Sequence, residues 1–280
     1  MDPEERTAIT EARLAASERL DELSAGEILA TIHGEDQRAF AAVAAALPAA
    51  EQAVGILVEV LSGGGRWFNV GAGTSGRMGA LDAAEIPPTF GFDPERVQAV
   101  IAGGPAALQR SIEGAEDDGE AARRELAARG LAAADAVVAI SASGRTPFAL
   151  AGLDAARTAG ARRIAITCDA DSDLVRAAEV ALVLPVGPEV IAGSTRMKGG
   201  LAQKMILHLL STTTMVKLGR VEGNRMTHLR PVSQKLRERA RRIVCELAGV
   251  DATRAEDLLR SCDGRVSEAV ALARAERPRG

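Results

Sequence analysis

The stretch Trp67-Phe68-Asn69-Val70-Gly71-Ala72-Gly73-Thr74-Ser75-Gly76-Arg77 joins a short apolar run to a loop rich in both glycine and hydroxyls. A second loop of the same kind, Ser141-Ala142-Ser143-Gly144-Arg145-Thr146, follows the apolar run 136–140. Glycine lets a backbone approach an anion closely. The Ser and Thr hydroxyls, with the free N–H groups of a following helix start, aim donors at its oxygens. The two loops read as halves of one phosphate cradle, and the ligand they imply is a small phosphorylated molecule.

Outward from these loops, apolar runs recur at 67–70, 97–101, 136–140, 163–167 and 180–185, alternating with Ala-rich helical stretches. That alternation predicts an α/β fold, a parallel five-stranded sheet flanked by helices on both faces. Ligands of such sheets bind outside the carboxyl ends of the strands, where both loops fall by sequence order. Residues 1–63 carry helical periodicity interrupted by Gly34 and Pro48, and Gly63-Gly64-Gly65 stop the last of these helices. The expected domains are therefore a helical N-terminal segment, 1–63, packing on the core or on a dimer partner, a sheet domain, 64–222, and a C-terminal helical subdomain, 223–280. Within them a long helix is predicted over 194–218, ended by Gly219. Helices at 234–247, 253–262 and 265–275 form a small three-helix bundle, and 276–280 read as frayed.

Aromatic residues make up only 2% of the chain, Tyr is absent and the net charge is −4. Nucleic acid is not an expected partner, since it needs a cationic stripe or stacking rings. Cys168, Cys245 and Cys262 show no disulfide or zinc spacing, which fits a reducing cytoplasm. The start, with Asp2, Glu4, Glu5 and Arg6, is wrong for a signal peptide. The most apolar stretch, 40–61, contains Pro48, Glu51 and Glu59 and reads as a buried helical region rather than a membrane span.

Gly71, Gly73 and Gly76 also spell G-x-G-x-x-G, which can hold a dinucleotide pyrophosphate. That reading wants an acidic residue at the end of the second strand, yet the chain there runs Val100-Ile101-Ala102-Gly103-Gly104. Sugar phosphate is the better reading.

Two acidic positions are candidates for proton transfer. Glu85 precedes Pro87-Pro88, which predicts an abrupt helix end beside it. Glu116 lies in Glu113-Gly114-Ala115-Glu116-Asp117-Asp118, a segment expected to return over the same sheet end. Each also reads as an ordinary solvated carboxylate, Glu116 as part of an acidic helix start. In Gly193-Ser194-Thr195-Arg196-Met197-Lys198, Ser194 reads as a helix N-cap. Two cations in a first helical turn oppose the dipole unless an anion sits there. His33, His208 and His228 have no carboxylate or Cys at ligand spacing, so no metal is expected.

The first loop, Gly71 to Arg77, the stretch from Leu81 to Thr89, Glu113-Gly114-Ala115-Glu116-Asp117, Ser143-Gly144-Arg145-Thr146-Pro147 and Gly193-Ser194-Thr195-Arg196-Met197-Lys198 resemble, in order, motifs of the N-acetylmuramic acid 6-phosphate etherases, members of the sugar isomerase (SIS) fold superfamily. The resemblance implies an SIS-type sheet domain that binds a phosphorylated amino sugar through Gly73, Thr74, Ser75, Arg77, Ser141, Ser143, Gly144, Thr146, Ser194, Thr195 and Lys198. It implies no cofactor, catalytic glutamates at Glu85 (the proton-donor position) and Glu116, and a homodimer with a shared active site. Four places depart from the family's pattern, the smallest being Ala84 for the usual Ser. Arg13-Leu14-Ala15 stands for Arg-Asn-Pro, and Cys168-Asp169-Ala170 for Cys-Asn-Pro. Thr227-His228-Leu229 and Val232-Ser233-Gln234-Lys235-Leu236 stand where an acid and Thr-Asn-x-Lys-Leu are usual. Two other readings stay open, a sugar-phosphate isomerase of the same fold and a phosphosugar sensor resembling the glucokinase regulatory protein.

Overall fold

A computed structural model describes residues 9–229, 231 and 233–276. The readings of the N-terminal start, of Val232 and of the last four residues lie outside this set. Two compact units are present, residues 1–83 with 95–212, and residues 84–94 with 213–280.

Three short 3-10 turns, Ile9–Glu11, Ala15–Ser17 and Leu20–Glu22, lead into α1, Ala25–Ser62. This helix begins with a reciprocal capping box between Ser24 and Glu27. It runs unbroken through Gly34 and Pro48, against the expected interruptions. Ala39, Ala42, Val43, Ala46, Ala50, Ala53, Val54 and Leu57 bury one continuous face on either side of Pro48, whose own side chain is exposed. Burial of that face outweighs one missing hydrogen bond. By length and composition α1 is also apolar enough to cross a bilayer, with a window of mean hydropathy 1.7. Here its inner face packs on strands of the sheet.

The chain then alternates as β1 (Trp67–Gly71), α2 (Gly73–Phe90), β2 (Val97–Ile101), α3 (Gly119–Ala128), β3 (Ala136–Ile140), α4 (Pro147–Ala159), β4 (Arg162–Thr167), α5 (Asp173–Ala177) and β5 (Val180–Val183). All five strands are parallel, in the order β2-β1-β3-β4-β5. On one face Phe68, Val70, Val137, Ala139 and Ala165 form a core with Leu126 of α3 and with Phe148, Leu153 and Ala156 of α4. The pleat sends Trp67, Asn69, Val138 and Ile140 to the other face. There the buried Asn69 amide donates to the Gly79 carbonyl of α2 at 3.0 Å and accepts from the Trp67 indole at 2.7 Å. A polar side chain inside the sheet is thereby satisfied.

Helix α6 spans Lys198–Lys217, so the expected start at Ser194 is four residues early. The intervening backbone is spent on tight turns, with Thr195 N–H donating to the Gly193 carbonyl at 3.0 Å and Met197 N–H to the Ser194 carbonyl at 3.3 Å. In the second unit a two-stranded hairpin, β6 (Val221–Glu222) and β7 (Arg225–Met226), precedes α7 (Gln234–Ala248), α8 (Ala252–Ser261) and α9 (Val266–Ala275). Leu229, Ile243, Val244, Leu258, Val266 and Val270 make its core, the three-helix bundle expected from the sequence.

Proline within a helix removes one hydrogen bond and crowds the carbonyl four residues back. Replacing the exposed Pro48 with Ala is expected to raise unfolding stability by about 1 to 3 kcal/mol, measurable in urea. Unchanged or lower stability would mean that α1 is shaped around the proline.

Candidate active site

Parallel pairing of Gly71 with Ile140 places the ends of β1 and β3 side by side, so both hydroxyl loops leave the same edge of the sheet. The first loop turns at once into α2. A side chain at Gly76 would put its Cβ 2.6 Å from the Gly71 carbonyl oxygen, so glycine alone permits the turn. Gly73, at φ +51°, opens α2, and Thr74 follows with its methyl against Gly200 of α6. Ser75 is buried, and its hydroxyl donates to Oε1 of Gln203 at 2.9 Å. The Arg77 guanidinium is engaged with the carbonyls of Ala107 (2.8 Å) and Arg110 (3.1 Å), fastening the segment after β2.

The second loop is held by its own hydroxyls. Ser141 Oγ lies 2.8 Å from Thr146 Oγ1 and 3.3 Å from Ser143 Oγ, and it accepts the Gly144 N–H at 3.0 Å. Ser143 Oγ accepts the Arg145 N–H at 3.3 Å. Thr146 stands at the N-cap of α4 without capping it, its hydroxyl turned to Ser141. Gly144 is at φ +66°, and a Cβ there would meet Ser172 Oγ at 2.2 Å and Thr167 Oγ1 at 2.7 Å.

The third segment adjoins the first. Ser194 and Thr195 lie half-buried in the turns before α6, and Gly200 N–H donates to the Thr195 carbonyl at 2.9 Å. Lys198 is 1% exposed and forms an ion pair with Glu35 of α1. The first N–H groups of α6, those of Lys198 and Gly199, donate to the Glu189 carboxylate at 3.2 and 2.8 Å. The anions expected at this helix start are thus two of the chain's own carboxylates. Burial would raise the Glu35 carboxyl, but the hydrogen bond and charge of Lys198, with help from Arg38, hold it below its ordinary value. Burial raises the Glu189 carboxyl, only partly offset by the N–H groups of Gly199 and Lys198. Cys168, packed nearby, is pushed up to about 12 by burial and by Glu189 and Asp169. It is therefore a neutral thiol, not a nucleophile.

A cavity of about 130 Å³ opens between the first loop and the segment after β2, lined by Gly73, Arg77, Ser111, Ile112 and Glu116 among others. Glu116 is exposed at its rim, in the 3-10 turn Ala115–Asp117. Asp118, two residues on, caps α3 by accepting the Ala121 N–H at 2.9 Å. Glu85 belongs to the second unit and is exposed on α2. The abrupt stop expected beside it is absent, for α2 continues through Pro87 and Pro88 to Phe90. Ile86 and Phe90 are buried, and the Gly91 N–H closes the helix on the Pro87 carbonyl at 2.9 Å. Burial on both sides of the prolines outweighs their two missing donors.

His228 is half-buried in the second unit. Its Nδ1 lies near Thr227 Oγ1 and the Arg220 carbonyl, and burial, with the charge of Arg220, holds its pKa low. Sequence reasoning missed Glu35, Glu189 and Gln203. Nothing local marks them, since their partners come from other elements.

The all-parallel sheet with glycine- and hydroxyl-rich loops at one edge is an SIS fold, as two family models identify it. The glucokinase regulatory protein N-terminal SIS domain matches residues 48–157 and the SIS domain matches 119–213. A phosphoheptose isomerase structure from Francisella tularensis shares the fold, with a TM-score of 0.53 at 21% identity over 70% of this chain and 98% of that one. An N-acetylmuramic acid 6-phosphate etherase of Gloeobacter violaceus is 47% identical over 96% of this chain and 88% of its own length. One of Streptomyces avermitilis is 46% identical over 94% and 85%. The chain belongs to the N-acetylmuramic acid 6-phosphate etherase family.

Gly144→Ala forces a positive φ on a side chain that has no room. It should cost about 1 to 3 kcal/mol of stability and weaken binding of a hexosamine 6-phosphate, as read by denaturant unfolding and calorimetry. Affinity equal to wild type would show that the second loop tolerates displacement.

Proposed function

We propose that this chain is a carbon–oxygen lyase that cleaves the D-lactyl ether of N-acetylmuramic acid 6-phosphate, yielding N-acetylglucosamine 6-phosphate and D-lactate. The observation that carries this reading is the 47% identity to an etherase over 96% of the chain. The regulatory-protein profile, by contrast, extends only over residues 48–157. Both hydroxyl loops and the turns with Ser194 and Thr195 serve the phosphosugar, with Gly73, Thr74, Ser75, Ser141, Ser143, Gly144 and Thr146 nearest its phosphate. Arg77 and Lys198 support these segments through the carbonyls and the carboxylate that hold them.

The reaction needs a base to take the proton from carbon 2 of the open-chain sugar and an acid to protonate the ether oxygen leaving carbon 3. In this reading Glu116 is the base and Glu85 the acid. Water then adds across the resulting double bond, and no cofactor takes part. The product belongs to salvage of cell-wall sugar. A phosphorylated substrate and three free cysteines suit the cytoplasm.

The same reading includes a homodimer with a shared active site. Leu29, Phe40 and Leu47 stand 67%, 63% and 49% exposed along one line of α1, an apolar stripe suited to a second copy. Phe40→Asp should shift the sedimenting species toward monomer and lower turnover together. A monomeric wild type would remove the shared site.

Wild-type protein incubated with N-acetylmuramic acid 6-phosphate should release D-lactate, and Glu85→Gln should cut that rate by at least about a hundredfold while phosphosugar binding survives. Glu116→Gln should abolish solvent deuterium exchange at carbon 2. Exchange at the wild-type rate would reject Glu116 as the base.

A further inference from the structure

Gln203 lies in the second turn of α6, 1% exposed, and its amide is only half used. Oε1 accepts the Ser75 hydroxyl at 2.9 Å, whereas Nε2 is buried with no hydrogen-bond partner among the described residues. Unpaired buried donors are rare enough to require a reason.

The reason lies in the single proton of Ser75. While that proton goes to Gln203, the hydroxyl has only lone pairs to offer, and a phosphate oxygen is itself an acceptor. The position of Ser75 on the first turn of α2 would then be wasted on an anion. A carboxamide has an acceptor and a donor of nearly the same shape at its two ends. Turned end for end, it presents Nε2–H where Oε1 stood.

We infer that Gln203 is a positioning residue for the phosphate loop. With the loop empty it accepts the Ser75 proton. With a phosphate group seated, Ser75 gives that proton to a phosphate oxygen and Gln203 donates Nε2–H to Ser75 Oγ in its place. The hydroxyl stays hydrogen-bonded in both states and no charge changes. An ionised Glu can only accept, and an aliphatic side chain can do neither. The unpaired Nε2 of the empty state is the donor required by the loaded one. This inference rests on the phosphosugar reading above.

Binding of N-acetylglucosamine 6-phosphate to the full chain, measured by calorimetry, tests it. A hydrogen bond to a charged group sets the expected scale, so Gln203→Met should weaken binding about tenfold or more. KM for the ether substrate should rise more than kcat falls. Ser75→Ala should cause a comparable loss, and adding Gln203→Met to it should cost less than a further twofold, because the two act through one hydroxyl. Gln203→Glu keeps the acceptor and the tie between α2 and α6 but lacks the donor. Its buried charge should lower the ligand-free melting temperature, so its phosphosugar affinity is read on folded protein well below that temperature, where it should be lost, and it serves if the Met variant does not fold.

Wild-type affinity in Gln203→Met, or a tenfold loss that persists in the Ser75→Ala background, would overturn the inference and leave Gln203 a structural tie. A wild-type protein that binds neither this phosphosugar nor inorganic phosphate would instead bring down the phosphate-loop reading itself, and Gln203 with it.

Discussion

A Cβ on Gly76 would sit 2.6 Å from the Gly71 carbonyl oxygen and equally close to the Ile101 side chain, so α2 touches the end of β1 without any side chain between them. That close approach fixes where the first backbone N–H groups of α2 point. It also brings Ser75 within reach of Gln203 on α6. Because Gly71 is in register with Ile140, the second loop is then placed by strand pairing alone. A one-residue slip would send every side chain of a strand to the opposite face, where it would meet different helices, so side-chain packing holds the register and with it the edge.

The same edge shows how a cationic helix start is tolerated inside a protein. Lys198 is buried, and an unpaired ammonium there would cost several kcal/mol. Glu35 supplies the countercharge, and Glu189 satisfies the buried N–H donors of the first turn. These pairs do not have to stabilise the fold much on balance. Their consequence is geometric, since they bind α1, the segment before α6 and α6 itself to one arrangement next to Thr74. Asp82 and Ser211 make a second polar tie between α2 and α6, at 2.9 Å. Burial, opposed by the Ser211 hydrogen bond and the charges of Lys204 and His208, still leaves the Asp82 carboxyl above its ordinary range.

Much of this fold was legible in the sequence because parallel strands buried on both faces appear as uninterrupted apolar runs. The runs at 67–70, 97–101 and 136–140 match β1, β2 and β3 to within a residue. Local breakers misled where burial was long-range, since Pro48 and Pro87-Pro88 sit inside helices with buried residues on both sides of them, and Gly34 lies within the capped first turns of α1 before its buried face begins. In the candidate site the glycine and hydroxyl loops announced themselves by composition. Glu35 and Gln203 did not, being 163 and 128 residues from the groups they bind. A Glu on a helix reads as solvated until the fold puts a buried Lys beside it.

Phosphate handling and proton transfer make opposite demands on their surroundings, and the two sets of residues differ accordingly. On the proposed phosphate side Ser75 is buried and bonded to Gln203, and Ser141 is buried and bonded to Thr146 and to the Gly144 N–H. A loop already held by its own hydrogen bonds loses little backbone freedom on binding, even where one proton must change partner. Glu85 and Glu116 lie exposed to water in the single chain. A carboxyl that must hold a proton for a leaving group needs desolvation, and one that must take a proton from carbon needs to be close and dry. In the proposed reading the bound substrate itself contributes that covering.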